Sequence, residues 1–326
     1  MIRKTLRKFV AGCHPHPVTW WELLIMRALF ACVVFMVLPD QKQIYDTQTS
    51  PNGIANWIDL TFLASDGVYP ALKAAVLVAL VIYTTGFGLP VVLPFIFTCV
   101  VLVRTLFNSQ GWVHHGTQMV ALVLLAQTIV VLTFAIYKMR KGRPFPLSGG
   151  RSPGSYFLFY SQMAIVSIYV VSVVSKVDRS DGKWFFKSHY VGLHVVKAER
   201  DRYYNKLEDP KPGTEPPPES IRAARAALAH PHLTRLILGA GVLLELFAFV
   251  ALFGRGAAAL IALGMICFHR SIAHLMSIYF HFNEMLLIIF LINAPFWIVW
   301  VVKKLSAKTK APDGNGRDRE LAATAP

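Results

Sequence analysis

The sequence predicts an all-α fold, a polytopic bundle of about eight helices spanning a membrane. Three observations carry this. Hydrophobic residues fill 55% of the 326 positions and charged residues only 16%, with a mean hydropathy of +0.48; in soluble domains about a quarter of residues are charged. The apolar residues gather into runs of roughly twenty, each able to cross a hydrocarbon core of ~30 Å. The 33 basic and 18 acidic residues are also distributed unevenly among the segments between those runs. A pair of soluble domains, a disordered chain and a disulfide-stapled secreted module are all excluded.

In chain order the predicted spans are 20–38, 71–88, 89–107, 115–137, 156–175, 236–253, 257–281 and 283–302. Ahead of the first lies a basic segment, 1–19. Val10-Ala11-Gly12-Cys13 resembles a lipoprotein cleavage box, but only Phe9 separates it from basic residues, where a signal peptide needs about 7–15 apolar ones. The first span, with no cleavage site after it, is read as a retained anchor. Spans two and three meet at Gly86-Phe87-Gly88-Leu89-Pro90, residues that end one helix and start another. The seventh run is apolar only over 257–268 and then continues through a stretch bearing histidine and arginine. A long connection, 176–234, follows the fifth span. Its Pro210–Pro218 stretch holds five prolines and is expected to be extended, whereas Ile221–Leu228 is Ala/Arg-rich and expected to form a short surface helix. The tail, 303–326, is polar and expected to be disordered.

The net charge of +15 reads as membrane orientation rather than nucleic-acid binding. Arg3, Lys4, Arg7 and Lys8 precede the first span, and Lys138, Arg140, Lys141, Arg143 and Arg151 lie between the fourth and fifth with no acid. Residues 39–69 instead carry Asp40, Asp46, Asp59 and Asp66 with only Lys42. Both termini are therefore expected in the cytoplasm, with the chain integral to the membrane (the plasma membrane in a prokaryote). The 176–234 connection falls outside, although it holds eleven basic residues against eight acidic ones. The four cysteines show no metal or redox spacing and are expected to be small buried hydrophobes.

Ionisable residues within the apolar runs carry the functional information, since each is costly in hydrocarbon without a partner. Arg27 in the first span and Glu245 in the sixth have depths compatible with a structural ion pair. A second set lies higher: His115 opening the fourth span after His114, Lys176 closing the fifth, and His269, Arg270 and His274 on the seventh. Taken singly, each is most simply structural. Together, three helices bring a lysine and imidazoles to one depth, which suits proton transfer: a lysine held among cations in a dry pocket offers a neutral amine as base. With few carboxylates and no His-x-x-x-His pair on these spans, no metal is expected.

These residues bring out a resemblance over about 20–302 to the horizontally transferred transmembrane (HTTM) domain family, the membrane part of vitamin K-dependent gamma-carboxylases. Met26-Arg27-Ala28-Leu29-Phe30 with Leu38-Pro39-Asp40-Gln41 resembles the family's arginine-bearing first helix and its turn. Trp112-Val113-His114-His115 is similar to its Asn-His segment, with His115 on the histidine and His114 in place of asparagine. Tyr169 through Ser175-Lys176-Val177-Asp178, with Trp184 beyond, resembles the segment holding the catalytic lysine, which Lys176 matches. Gly241 to Leu246, Cys267-Phe268-His269 and Met276-Ser277-Ile278 are similar to the last helices and place His269 on a family histidine.

The resemblance implies a membrane enzyme, a carbon–carbon lyase and quinone epoxidase. Lys176 would deprotonate a reduced vitamin K or menaquinone, with His115 and His269 as catalytic partners and His114, Trp184 and His274 about the cofactor. A protein substrate or partner would meet the outer loop 176–234. The chain departs from the family in three residues inserted between Lys176 and Trp184. It also ends some 24 residues past Val302, where the carboxylases carry a large outer domain. The quinone half of the mechanism is therefore expected to carry over without the glutamate half. Two alternatives stay open: a non-catalytic anchoring or assembly subunit, and a small anion or proton-coupled transporter. No inverted repeat or paired discontinuous helices in corresponding halves is legible to support the latter.

Overall fold

The computed structural model describes residues 13, 15–111, 115–147, 151–205, 218–276 and 278–309. Among these the chain is helical with no strand, and seven helices are long and apolar enough to cross a membrane. They are α1 (Trp20–Val37), α2 (Val68–Thr85), α3 (Leu89–Asn108), α4 (His115–Lys141), α5 (Pro153–Arg179), α6 (Pro231–Leu246) with its 3-10 extension Phe247–Phe253, and α7 (Arg255–Met276). An eighth crossing is broken: α8 (His281–Leu286) runs through a π turn, Leu287–Leu291, into α9 (Ala294–Thr309), the two halves bent by 48°. This is an integral membrane protein, a polytopic helical bundle. Leu77, Val78, Val81, Val171, Leu236 and Leu260 stand exposed on its flanks, where lipid replaces water.

Helix ends follow local chemistry. Thr19 caps α1 by accepting from Glu22 N at 3.4 Å. Between α2 and α3, Gly86 (φ +83) and Gly88 (φ +59) take the left-handed conformation that lets the chain reverse, and Pro90 begins α3. A Cβ on Gly86 would also lie 2.2 Å from Arg27 Nη1. The core centres on Met26, Phe30, Tyr83, Phe157 and Phe290, with Phe30 edge-on to Phe290 at 5.2 Å. Several polar groups within it are paired: Tyr83 Oη donates to Gln127 Oε1 at 3.0 Å, and Gln127 Nε2 to Ser161 Oγ at 3.0 Å. Gln162 Nε2 donates to the Phe290 carbonyl at 2.8 Å, satisfying backbone at the π turn.

Two connections lie at one end of the bundle, called here the loop end. Residues 39–67 form three short 3-10 turns stapled by Asp59, which accepts from Thr61 N, Thr61 Oγ1 and Gln48 Nε2 at 2.9, 2.7 and 2.8 Å. The 176–234 connection is far more helical than its sequence suggests. It holds a turn at Trp184–Lys187 and two packed helices, Val191–Asn205 and Pro218–Ala229, the second covering the expected surface helix. The basic residues 1–12, most of the proline run, and the tail from 310 lie outside the described residues. The cysteine expectation holds only for buried Cys99; Cys32 and Cys267 are exposed, Cys13 half-buried.

Candidate functional site

A cavity of about 1240 Å³ opens at the loop end. Its polar lining is positioned by several helices: Tyr169 and Lys176 from α5, Glu245 from α6, His269 from α7 and Asn283 from α8. Tyr169 and Lys176 are seven residues apart, two helical turns, and so share a face. Val171, Leu238, Phe268, Ile272, Met276 and Phe280 supply apolar wall. The α6–α7 wall depends on Gly241, where an added Cβ would stand 2.1 Å from the Phe268 ring; small residues allow such close helix approach in membranes.

Lys176 Nζ donates to Glu245 Oε2 in a short ion pair and sits 5.7 Å from the Trp184 ring centroid. This replaces the partnership anticipated between Arg27 and Glu245. Arg27 instead directs its guanidinium to Gly86 at the C-terminal end of α2, 5.6 Å over the Phe157 ring. The partial negative charge of a helix C-terminus accounts for a cation there. Glu245, at the last turn of α6 before the 3-10 stretch, is nearer in space to the closing turns of α5. Lys176 is thus not a lone amine among cations but half of an ion pair.

Beside that pair lie three buried polar atoms without a close hydrogen-bond partner among the described residues: Tyr169 Oη, His269 Nδ1 and Asn283 Oδ1, with the Tyr169 and Asn283 side chains facing each other. The His269 ring stacks on Phe280 at 4.4 Å and lies 5.8 Å from Tyr169. The side chains of Tyr169, His269 and Asn283 are 4, 2 and 8% exposed, so bulk water does not satisfy these atoms. The neighbouring Arg270 pairs with Glu284 at 2.5 Å, which fixes α7 against α8 next to His269.

Of the residues singled out from sequence, Lys176, His269 and Trp184 line the cavity together. His274 is exposed on α7 and does not line it; five residues from His269, it turns to another face. His114 and the side chain of His115 lie outside the described residues; Gln118, one turn further along α4, does line the cavity. Sequence reasoning missed Asn283 and the linkage of Glu245 to Lys176. It quoted Tyr169 only within a motif, although its spacing from Lys176 was available. Among the described residues no three His, Cys, Asp or Glu side chains group to hold a metal ion. No family model matches the chain, and no curated protein or solved structure matches it significantly.

Proposed function

We propose that the protein is a membrane enzyme acting on a reduced, lipid-soluble quinone, with the Lys176–Glu245 pair as its base, after the HTTM-type carboxylases it resembles. One observation carries the reading: the amine and the His269 imidazole share a large, mostly apolar cavity with buried polar atoms that lack close hydrogen-bond partners among the described residues. The fit is chemical. Tyr169 Oη can donate, Asn283 Oδ1 can accept, and His269 Nδ1 does either according to tautomer; a two-hydroxyl aromatic ring supplies the matching groups. Phe280 and Trp184 offer flat surfaces to an aromatic ring.

When bound, the reduced quinone would supply the electrons and, with oxygen, the strong base that the related carboxylases use. The chain's own residues hold and move one proton. Glu245 fixes the Lys176 ammonium at the cavity wall and is the group to which its proton can pass, leaving a free amine facing a ligand hydroxyl. Tyr169, His269 and Asn283 orient that ligand, and the apolar wall excludes water. In this reading the loop end faces outward and both termini the cytoplasm, the orientation expected from the basic residues at 1–19 and 138–155.

The test is epoxide formation from reduced menaquinone or vitamin K under oxygen in membranes containing the protein, assayed by chromatography. Epoxide from the parent and its loss in Lys176→Ala support the proposal; none from the parent, or an unchanged yield from the variant, ends it.

One observation favours a second reading, an anion or proton-coupled transporter. The sixth and eighth crossings are both irregular, at Phe247–Phe253 and Leu287–Leu291, and discontinuous helices build transporter sites. That reading requires uptake into proteoliposomes that depends on His269 and proceeds without quinone.

A further inference from the structure

The chamber has two chemically different ends. Its depth holds the buried Tyr169, His269 and Asn283, whereas exposed Arg179, Lys187 and His194 line its mouth. Those three come from separate segments: the last turn of α5, the Trp184–Lys187 turn, and the helix Val191–Asn205. None forms a side-chain hydrogen bond or ion pair among the described residues, and Glu245, the one acid in the lining, is taken by Lys176. An isolated surface cation needs no explanation. Two unpaired cations, Arg179 and Lys187, converging on a single cavity with the His194 imidazole beside them concentrate positive potential at its opening.

The volume adds a second constraint. At about 1240 Å³ the chamber exceeds the roughly 300–1,000 Å³ of ordinary small-molecule sites, so a ring at its depth leaves room for another group near the mouth. Phe185, Phe186 and Leu193, chain neighbours of the mouth residues Lys187 and His194, are themselves exposed, and such apolar surface suits a ligand arriving from lipid.

We propose that the mouth binds the phosphate monoester head of an amphiphile. A carboxylate can accept from all three donors through its four lone pairs but carries a single charge against two cations. A phosphate monoester presents three terminal oxygens and close to two charges. Arg179 takes two oxygens side by side, Lys187 and His194 donate to the remainder, and the apolar wall takes the hydrocarbon chain. This inference does not require quinone chemistry at the depth of the chamber.

The test uses full-length protein in neutral detergent without quinone, measuring saturable binding of radiolabelled dioctanoyl phosphatidic acid. Binding should be about tenfold or more tighter than that of dioctanoyl phosphatidylcholine. Arg179→Gln/Lys187→Gln should weaken it by a similar factor, while Lys141→Gln/Arg143→Gln at the opposite end leaves it unchanged. Competition by inorganic phosphate at equal concentration identifies a soluble phosphate as ligand for the same site; failure to compete identifies the amphiphile. Equal binding of the two lipids, or unaltered affinity in the double variant, overturns the proposal. If the double variant unfolds, the exposed His194→Gln gives the same readout, with a several-fold loss expected and no loss fatal. The epoxide assay is separate, so either proposal can fail alone.

Discussion

Lys176 and Glu245 are bound to a common fate. Lys176 is half-buried and Glu245 buried, so removing one member leaves the other without its counter-charge, at a cost of about 1–3 kcal/mol. Glu245→Ala should therefore lower the unfolding temperature in detergent, and Lys176→Met/Glu245→Leu should recover most of that loss. Both variants should nevertheless fail to form epoxide, with Lys176→Met/Glu245→Leu down by about a hundredfold or more, the scale of a positioned acid–base group. Recovery of stability together with activity would refute the role of the pair as base. The sequence already marked both residues as costly in hydrocarbon, and it placed Lys176 and His269 at one depth. It could not say which cation meets Glu245, because depth along a helix does not determine the direction in which a side chain points. Arg27 had a compatible depth, but the close approach permitted at Gly86 gives it another environment.

Helices that break are the elements on which the chamber depends. The π turn in the eighth crossing leaves Phe290 needing an acceptor's partner, which Gln162 provides. Gln162→Leu should destabilise the bundle by about 1–3 kcal/mol, the cost of an unsatisfied buried carbonyl, in thermal unfolding. Gly241→Val should force Phe268 away from α6 and reduce ligand binding, whereas Gly256→Ala, with open space around it, should leave binding unchanged. Both breaks escaped the sequence reading: Phe247–Phe253 holds no glycine or proline, whereas Asn293 (φ +57) and Pro295, which mark the bend after Leu287–Leu291, were a signal left unused. In the 39–67 loop, hydrogen bonds to Asp59, chiefly from the Thr61 backbone, hold its carboxyl below the usual range. Its contribution to stability is present above the unfolded-state value and is lost as pH falls through the lower folded one. Hydrogen exchange over Gly53–Ala64 should stay slow in mild acid and quicken only below the ordinary carboxylate range; Asp59→Asn should exchange faster at neutral pH.

Taken whole, the molecule has a basic end and a loop end, and its orientation can be measured. In a cysteine-free background, Phe62→Cys in the 39–67 loop should react with a membrane-impermeant thiol reagent on intact cells. Arg143→Cys should react only after the membrane is opened. The reverse pattern would invert the topology and put the chamber on the cytoplasmic side. The order of crossings was readable because each is a local run whose length and polarity alone commit it to lipid. The 176–234 connection was readable only at Ile221–Leu228; its charge concealed the helix Val191–Asn205, whose Val191 and His194 line the chamber.

Local chemistry was enough to establish the bundle, its basic face and the set of costly polar residues, since transfer into hydrocarbon is a property of a single segment. The pairing of Lys176 with Glu245, the buried polar cluster of Tyr169, His269 and Asn283, and the cationic mouth arise only when α5, α6, α7 and α8 meet each other and the 176–234 connection. Such contacts depend on helix rotation and bending, which packing between distant segments sets and no single run encodes.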